Sequence, residues 1–277
     1  MKERDGKNIA TEKNENLVNE RQKEFYTNFK KNKATKIWYA LRNSLLRDMR
    51  KNIGIEAQVY QQHRSWLGDL STKKVLDLGC YEGNSLSYYL AENAGEYIGI
   101  DLSEKAIEKL KIKIGKFPHA KGKTVDFLSE DFTDGNFDLI YAYGVLHHFK
   151  DTDKLIDRMQ EKLKAGGEII SYDPLQTSLP VNIVRKLYRP FQTDKDWEWP
   201  FTRKTFYKYN QAFEIIERRA IFGDAKWFFL LNLLPISDEK KLKIGTRWHE
   251  KDWKLSRKSD KQLFKGMHLT MYMRKKN

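Results

Sequence analysis

This sequence predicts an α/β fold built on a parallel sheet, on three observations. Strand-like and helix-like segments alternate between residues 74 and 174. The strand-like segments are rich in Val, Ile, Leu and Tyr, as strands buried on both faces are. The first of them breaks at Gly79-Cys80-Tyr81-Glu82-Gly83 before a helix begins. Glycines there let the backbone turn sharply and leave room for a ligand to lie against it.

The 277 residues suffice for one large domain with additions. Residues 1–20 lack apolar periodicity and are expected to fray or be disordered. A helical cap is expected over 21–70. Phe25, Phe29, Ile37, Trp38, Leu41, Leu45 and Met49 recur mostly at helical spacing, Gly54 interrupts them, and a further helix covers 55–69.

The main domain is expected over 71–277. "KVLDLGC" reads as its first strand and "GNSLSYYLAENA" as a helix. "EYIGIDL" is a strand, and "SEKAIEKLKIKIG" a helix capped by Ser103 and ended by Gly115. "TVDFLSED" and "FDLIYAYGVL" read as strands, and "DTDKLIDRMQEKLKAGG" as a helix from Asp151 stopped by Gly166-Gly167. "GEIISYDP" follows as a strand. Residues 175–200, with Pro180, Pro190 and Pro200, read as a lid insertion. After it, "TRKTFYKYNQAF" reads as a helix and "FEIIERRAIFG" as a strand. Residues 224–262 read as a second insertion, irregular and basic, and "GMHLTMYMRK" closes the domain as a strand.

The formal net charge of +14 is unevenly spread: +6 over 1–70, −4 over 71–174 and +12 over 175–277. Basic flanks of this kind suit an anionic acceptor, a nucleic acid or an anionic membrane surface. A single cysteine, Cys80, excludes an intramolecular disulfide. The first thirty residues hold no apolar signal core, and no apolar run approaches the ~20 residues that span a bilayer. The expected location is the cytoplasm, with peripheral membrane contact as an option. No metal site is expected, because the adjacent pair His147-His148 has no third ligand.

An acid at the end of the second strand, Asp101, stands 22 positions after Gly79. That spacing suits a two-oxygen grip on ribose hydroxyls. Residues 79–84 read G-C-Y-E-G-N, which is neither the G-x-G-x-x-G of dinucleotide sites nor a phosphate-binding G-K-S/T loop. The surroundings are acidic instead, with Asp77, Glu82 and Asp101. Carboxylates repel phosphates and attract a sulfonium or an ammonium.

Residues 73–174 resemble the class I S-adenosylmethionine-dependent methyltransferases. "VLDLGCYEGNSL" is similar to their first motif, "YIGIDLS" to the second and "DFLSEDF" to the acidic segment after the third strand. "FDLIYAYGVLHHF" and "LKAGGEIISYDP" are similar to the fourth and fifth strands. The resemblance implies a Rossmann-like, doubly wound, mostly parallel seven-stranded sheet with an antiparallel last strand, and S-adenosyl-L-methionine as cofactor. It implies that Asp77, Gly79, Cys80 and Gly83 shape the cradle of the methionyl part. Asp101 would hold the ribose, with Leu102 on the adenine. Asp131 would accept from the adenine amino group with Phe132 packed nearby, and Tyr143 would lie near the sulfonium. Tyr81 departs from the family's glycine-rich pattern.

Methyl transfer from a sulfonium is an in-line displacement, so the protein mainly positions the nucleophile and excludes water. A base is needed only where the acceptor sheds a proton, and His147 and His148 are the candidates. Acceptor choice falls to the added aromatic and basic segments, with Tyr39, Tyr172, Arg185 and Trp199 as candidate substrate residues. The leading reading is transfer to a hydroxyl of a sugar, lipid-linked or secondary-metabolite acceptor. RNA methylation through the basic flanks is the alternative, and an inactive cofactor-binding scaffold is a third.

Overall fold

The computed structural model describes residues 50–191 and 197–276 and, before them, only positions 24, 33, 35–37 and 40. Helix α1 (Ile55–Leu67) leads into β1 (Lys74–Leu78), α2 (Ser85–Asn93), β2 (Glu96–Asp101), α3 (Glu104–Ile114), β3 (Ala120–Thr124) and β4 (Phe137–Tyr143). A 3-10 turn (Leu146–His148) precedes α4 (Thr152–Lys162) and β5 (Leu163–Pro174). Then come α5 (Leu179–Tyr188), α6 (Arg203–Ala212), β6 (Phe213–Ile221), a 3-10 segment (Ala225–Leu233), α7 (Asp238–Ser256), α8 (Asp260–Leu263) and β7 (His268–Lys275).

All seven strands form one sheet in the order β3-β2-β1-β4-β5-β7-β6. Strands β1 to β5 are parallel, and β7 inserts antiparallel between β5 and β6. The expected doubly wound sheet with its antiparallel last strand is the fold observed. The chain builds outward from β1 to β3, then crosses to β4 on the other side. Strand order therefore reverses between β1 and β4, and their carboxyl ends flank a crevice.

Local chemistry sets the helix starts. Asn84 Oδ1 accepts the N–H groups of Leu86 (2.8 Å) and Ser87 (3.0 Å) to begin α2. Asp151 does the same for α4, and Ser103 caps α3. One side of the sheet buries Leu90, Ile107 and Leu110, and the other Phe132, Phe137, Met159 and Phe206.

The structure corrects three boundaries. β3 is Ala120–Thr124, and most of "TVDFLSED" is turn and loop. α4 ends at Lys162, short of Gly166-Gly167, which lie inside β5. The insertion read as irregular over 224–262 is mostly helical, with α7 running 19 residues. The helical pattern read from Phe25 to Met49 lies almost wholly outside the described residues.

Helix α1 lies against the sheet from edge to edge. Trp66 and Leu67 pack with Val75 and Leu86, whereas Ile55 and Val59 pack with Ile221 and Phe222. His63 is fully buried between them. Thr270 donates its hydroxyl to the Ser171 carbonyl (2.7 Å), so it accepts from His63 Nε2 (2.7 Å). His63 Nδ1 then accepts from the Tyr141 hydroxyl (3.2 Å). This neutral imidazole pins α1 to β4 and β7, and burial lowers its pKa from 6.5 to about 3.

Below pH 6.5 the unfolded chain binds a proton at His63 that the fold refuses. Stability is then lost as pH falls towards 3, by up to about 1.4 kcal/mol per pH unit. Urea unfolding between pH 4 and 6.5 should show His63→Gln with a shallower acid loss than the wild type. Equal slopes would contradict the buried neutral ring.

Candidate active site

The turn after β1 is shaped for close approach. Gly79 has φ +65°, and a Cβ there would stand 2.3 Å from Val145 Cγ2. Tyr81 holds φ +50° without being glycine, a left-handed conformation that costs an L-residue roughly 1–2 kcal/mol. Its N–H donates to Asp101 Oδ2 (3.0 Å), which anchors it. The tyrosine thus holds a left-handed backbone inside the glycine turn.

Asp101 ends β2 and gathers the edge. Its Oδ1 accepts the Ser103 N–H (2.8 Å) while Oδ2 holds Tyr81. The carboxylate stays partly exposed beside partly exposed Leu102. A partly exposed carboxylate beside a turn whose Gly79 and Gly83 lack Cβ atoms suits the ribose and sulfonium of an adenosylmethionine. Burial raises the Asp101 pKa, against the three backbone N–H bonds that favour its charge.

Asp77 is fully buried and accepts from the Tyr97 hydroxyl (2.9 Å). It supports the cradle from beneath. Burial lifts its pKa to about 6. Cys80 is buried near Gly99, and burial pushes its thiol up, so it packs as a small apolar group. Glu82 is half-exposed and paired with Lys109 (2.8 Å), and Lys113 donates to the carbonyls of Glu82 and Gly83. The acidic surroundings read from the sequence therefore reduce, inside the turn, to Asp77 and Asp101.

The two adenine-side candidates differ in exposure. Asp131 is exposed and bonds its own loop at Ser129. Phe132 is fully buried and stacked on Phe137 (6.2 Å, 6°), so it belongs to the core. The acid at the carboxyl edge is Asp126. Val125 donates its N–H to the Asp101 carbonyl (3.2 Å), which sets Asp126 next to Asp101 across β2 and β3. Correct placement of β3 would have found it, as the first acid after the strand.

On the other side of the crevice, aromatic rings line the edge. Tyr143 stacks on Tyr172 (4.6 Å, 7°), and Tyr172 on His268 (5.3 Å, 13°). Tyr60 of α1 stands 5.6 Å from Tyr143, ring to ring. Tyr143 and Tyr172 are enclosed by protein yet keep partial solvent contact, as rings lining a crevice do. Burial raises all three phenols, so they stay neutral donors. Tyr60 and His268 were not found from the sequence, which gives no signal of their meeting.

His147 and His148 follow in the 3-10 turn. His147 is buried, and both its backbone N–H (3.1 Å) and its Nδ1 (2.9 Å) meet Asp173 Oδ1. His148 Nδ1 donates to the Trp197 carbonyl (2.8 Å). Trp199 donates its N–H to the His147 carbonyl (2.7 Å), and Arg185 is half-buried on α5. Tyr39 lies outside the described residues. Among the described residues no His/Cys/Asp/Glu group is placed to hold a metal ion.

A family model described as a methyltransferase domain matches residues 53–219, and the chain belongs to that family. It is 34% identical to phosphoethanolamine N-methyltransferase 3 of Arabidopsis thaliana over 103 residues, 36% of this chain and 21% of that one. It is 28% identical to demethylmenaquinone methyltransferase of Lactococcus lactis over 184 residues, 60% of this chain and 69% of that one. Over the first curated relatives matched, the chain spans about half of their length or less. The fold is shared with the N-methyltransferase NodS of Bradyrhizobium japonicum in complex with S-adenosyl-L-homocysteine. That match has a TM-score of 0.52 at 16% identity and covers 84% of this chain and 97% of that one.

The buried Asp77 has a thermodynamic signature opposite to that of His63. Its raised pKa gives stability that is full below pH 3.8 and lost as pH rises through about 6, roughly 3 kcal/mol in all. In urea titrations without cofactor, Asp77→Asn should be the more stable protein at pH 7.5 and lose that advantage at pH 4. A variant less stable at both pH values would sink this assignment.

Proposed function

We propose that the chain transfers the methyl group of S-adenosylmethionine to a hydroxyl of a small molecule, of sugar, lipid-linked or secondary-metabolite type. The observation that carries the cofactor half is the partly exposed Asp101 carboxylate at the end of β2, anchored beside the turn at Gly79. When bound, the cofactor supplies an electrophilic methyl on a sulfonium. Asp101 would hold the ribose, Asp126 and Leu102 the adenine side, and Gly79 and Gly83 the methionyl part. Tyr143 would border the reacting sulfur.

The aromatic crevice supports a hydroxylated acceptor. Tyr172 is stacked on both faces, by Tyr143 and by His268. The neutral hydroxyls of Tyr60, Tyr143 and Tyr172 offer hydrogen bonds to a polar acceptor. A hydroxyl must shed a proton. Burial raises the Asp173 pKa well above the usual carboxylate range. Its Oδ1 accepts the His147 backbone N–H and, with the ring proton on Nδ1, accepts that as well, which leaves the His147 lone pair on Nε2. The Trp197 carbonyl fixes the same tautomer in His148. Both rings are thus in the form a general base needs.

Two experiments test this. Calorimetry should show S-adenosylhomocysteine binding that weakens about tenfold or more in Asp101→Asn, because one ribose acceptor becomes a donor. Labelled cofactor incubated with cell extract should mark the small-molecule or lipid fraction and resist nuclease. Label confined to RNA would transfer the reading to nucleic acid, and no heat with S-adenosylhomocysteine would end it.

With the labelled fraction as acceptor, His147→Asn and His148→Asn separate base from prop. Asparagine keeps the Nδ1 hydrogen bond and lacks Nε2. The variant at the base should lose about 100-fold or more in turnover at unchanged S-adenosylhomocysteine affinity. If both retain more than a fifth of the activity, neither histidine is the base.

A further inference from the structure

We propose that the edge of the sheet carrying the candidate site docks on an anionic lipid bilayer. Two segments carry the inference. Along α5, Leu179, Ile183 and Leu187 recur every four residues and, with Val184, are exposed. Leu179 keeps 73% and Leu187 71% of its surface. Helical spacing sets such residues in one stripe, and here the stripe faces solvent. Residues 175–191 hold Arg185, Lys186 and Arg189 and no acid.

The second segment is the 3-10 stretch Ala225–Leu233. Phe228 and Leu231 are buried against α1 and Phe222 and fix it in place. Its other side exposes Trp227, Leu230 and Leu233, followed by Leu234, with Leu233 80% exposed. No acidic residue occurs from 225 to 237.

Both segments leave the same edge. β5 ends at Pro174 and β6 at Ile221, and each pairs there with His268 of β7. His268 is also the end ring of the aromatic crevice. Exposed apolar stripes with basic neighbours lie in a lipid interface, apolar side in the acyl boundary and cations at the headgroups. The charge of +12 over residues 175–277 favours anionic headgroups. Nucleic acid would use the cations but gain nothing from leucines turned to water. If the methyl-transfer reading holds, docking sets the crevice mouth at headgroup depth, and the acceptor is amphiphilic.

The test is co-sedimentation of the full chain with phosphatidylcholine vesicles, with and without phosphatidylglycerol. It needs neither cofactor nor acceptor, so its failure is distinct from failure of the methyl-transfer reading. The wild type should sediment with the anionic vesicles and more weakly with phosphatidylcholine alone. Leu187→Ser and Leu233→Ser should each weaken binding about tenfold, from the loss of one buried aliphatic side chain. Lys186→Gln should weaken it roughly fivefold on anionic vesicles only. All three positions face water, so circular dichroism and S-adenosylhomocysteine affinity should stay unchanged. No sedimentation, or sedimentation indifferent to both leucine variants, overturns the proposal. A concentration-dependent dimer lost in the leucine variants assigns the stripes to a second copy. RNA retention lost only in Lys186→Gln assigns the edge to nucleic acid.

Discussion

The carboxylate of Asp101 is the point on which the candidate site turns. One oxygen holds the N–H of Tyr81 and the other that of Ser103. The first bond keeps a non-glycine residue in a left-handed conformation, and the second fixes the entry into α3. From α3, Lys109 and Lys113 reach back to Glu82 and to the carbonyls of Glu82 and Gly83. The turn is therefore clamped from inside by an acid and from outside by two lysines. The outer pair is solvent-exposed and of modest strength, whereas the inner bonds are partly buried and to a charged acceptor, and weigh more. Beneath the turn, Asp77 and Tyr97 join β1 to β2. A cradle built this way is formed before anything enters it, so binding spends little on ordering it.

How much of this was legible in the sequence depended on burial. Strands β1, β2, β4 and β5 are buried on both faces and announced themselves as Val-, Ile-, Leu- and Tyr-rich runs. β3 did not, because it is an edge strand. Its sequence, Ala-Lys-Gly-Lys-Thr, is polar and half-exposed, as edges commonly are. The apolar residues just after it, Val125, Phe127 and Leu128, belong to a turn that packs into the core. The eye follows apolar residues and sets the strand too late, and with it the acid, so that Asp131 was chosen over Asp126. α7 was missed for the converse reason. A long helix with a few buried residues, among them Gly245, His249 and Asp252, has little apolar stripe to read.

The aromatic crevice was half legible in the sequence: Tyr143 and Tyr172 were read as site residues, Tyr60 and His268 were not. Tyr143, Tyr172 and His268 come from β4, β5 and β7, where strand register brings them together, and Tyr60 joins them from α1. Tyr143 pairs with Tyr172 across β4 and β5, and Pro174 with His268 across β5 and β7. Burial keeps the three phenols neutral. The crevice is therefore polar without being charged, beside a carboxylate that is partly exposed. Such a place orients an acceptor by hydrogen bonds and leaves charge chemistry to the groups at its ends.

The division between core and additions follows from strand direction. In a parallel sheet every strand delivers its chain to the same edge, so whatever follows β5 or β6 begins beside the site. The segments after Pro174 and after Ile221 both do so. The chain before β1 reaches that edge by another route. α1 is 13 residues long, about 20 Å, and lies along the sheet. Leu67 sits near Lys73 at the amino edge and Ile55 near Ile221 at the carboxyl edge. Arg50, just ahead of it, stands 6.0 Å from the Phe222 ring. Three stretches separate in sequence thus converge on one rim, while Asp77, Gly79, Asp101 and Asp126 all belong to the shared core. Changes in the rim can alter which acceptor is admitted without disturbing the carboxylates that would hold the cofactor.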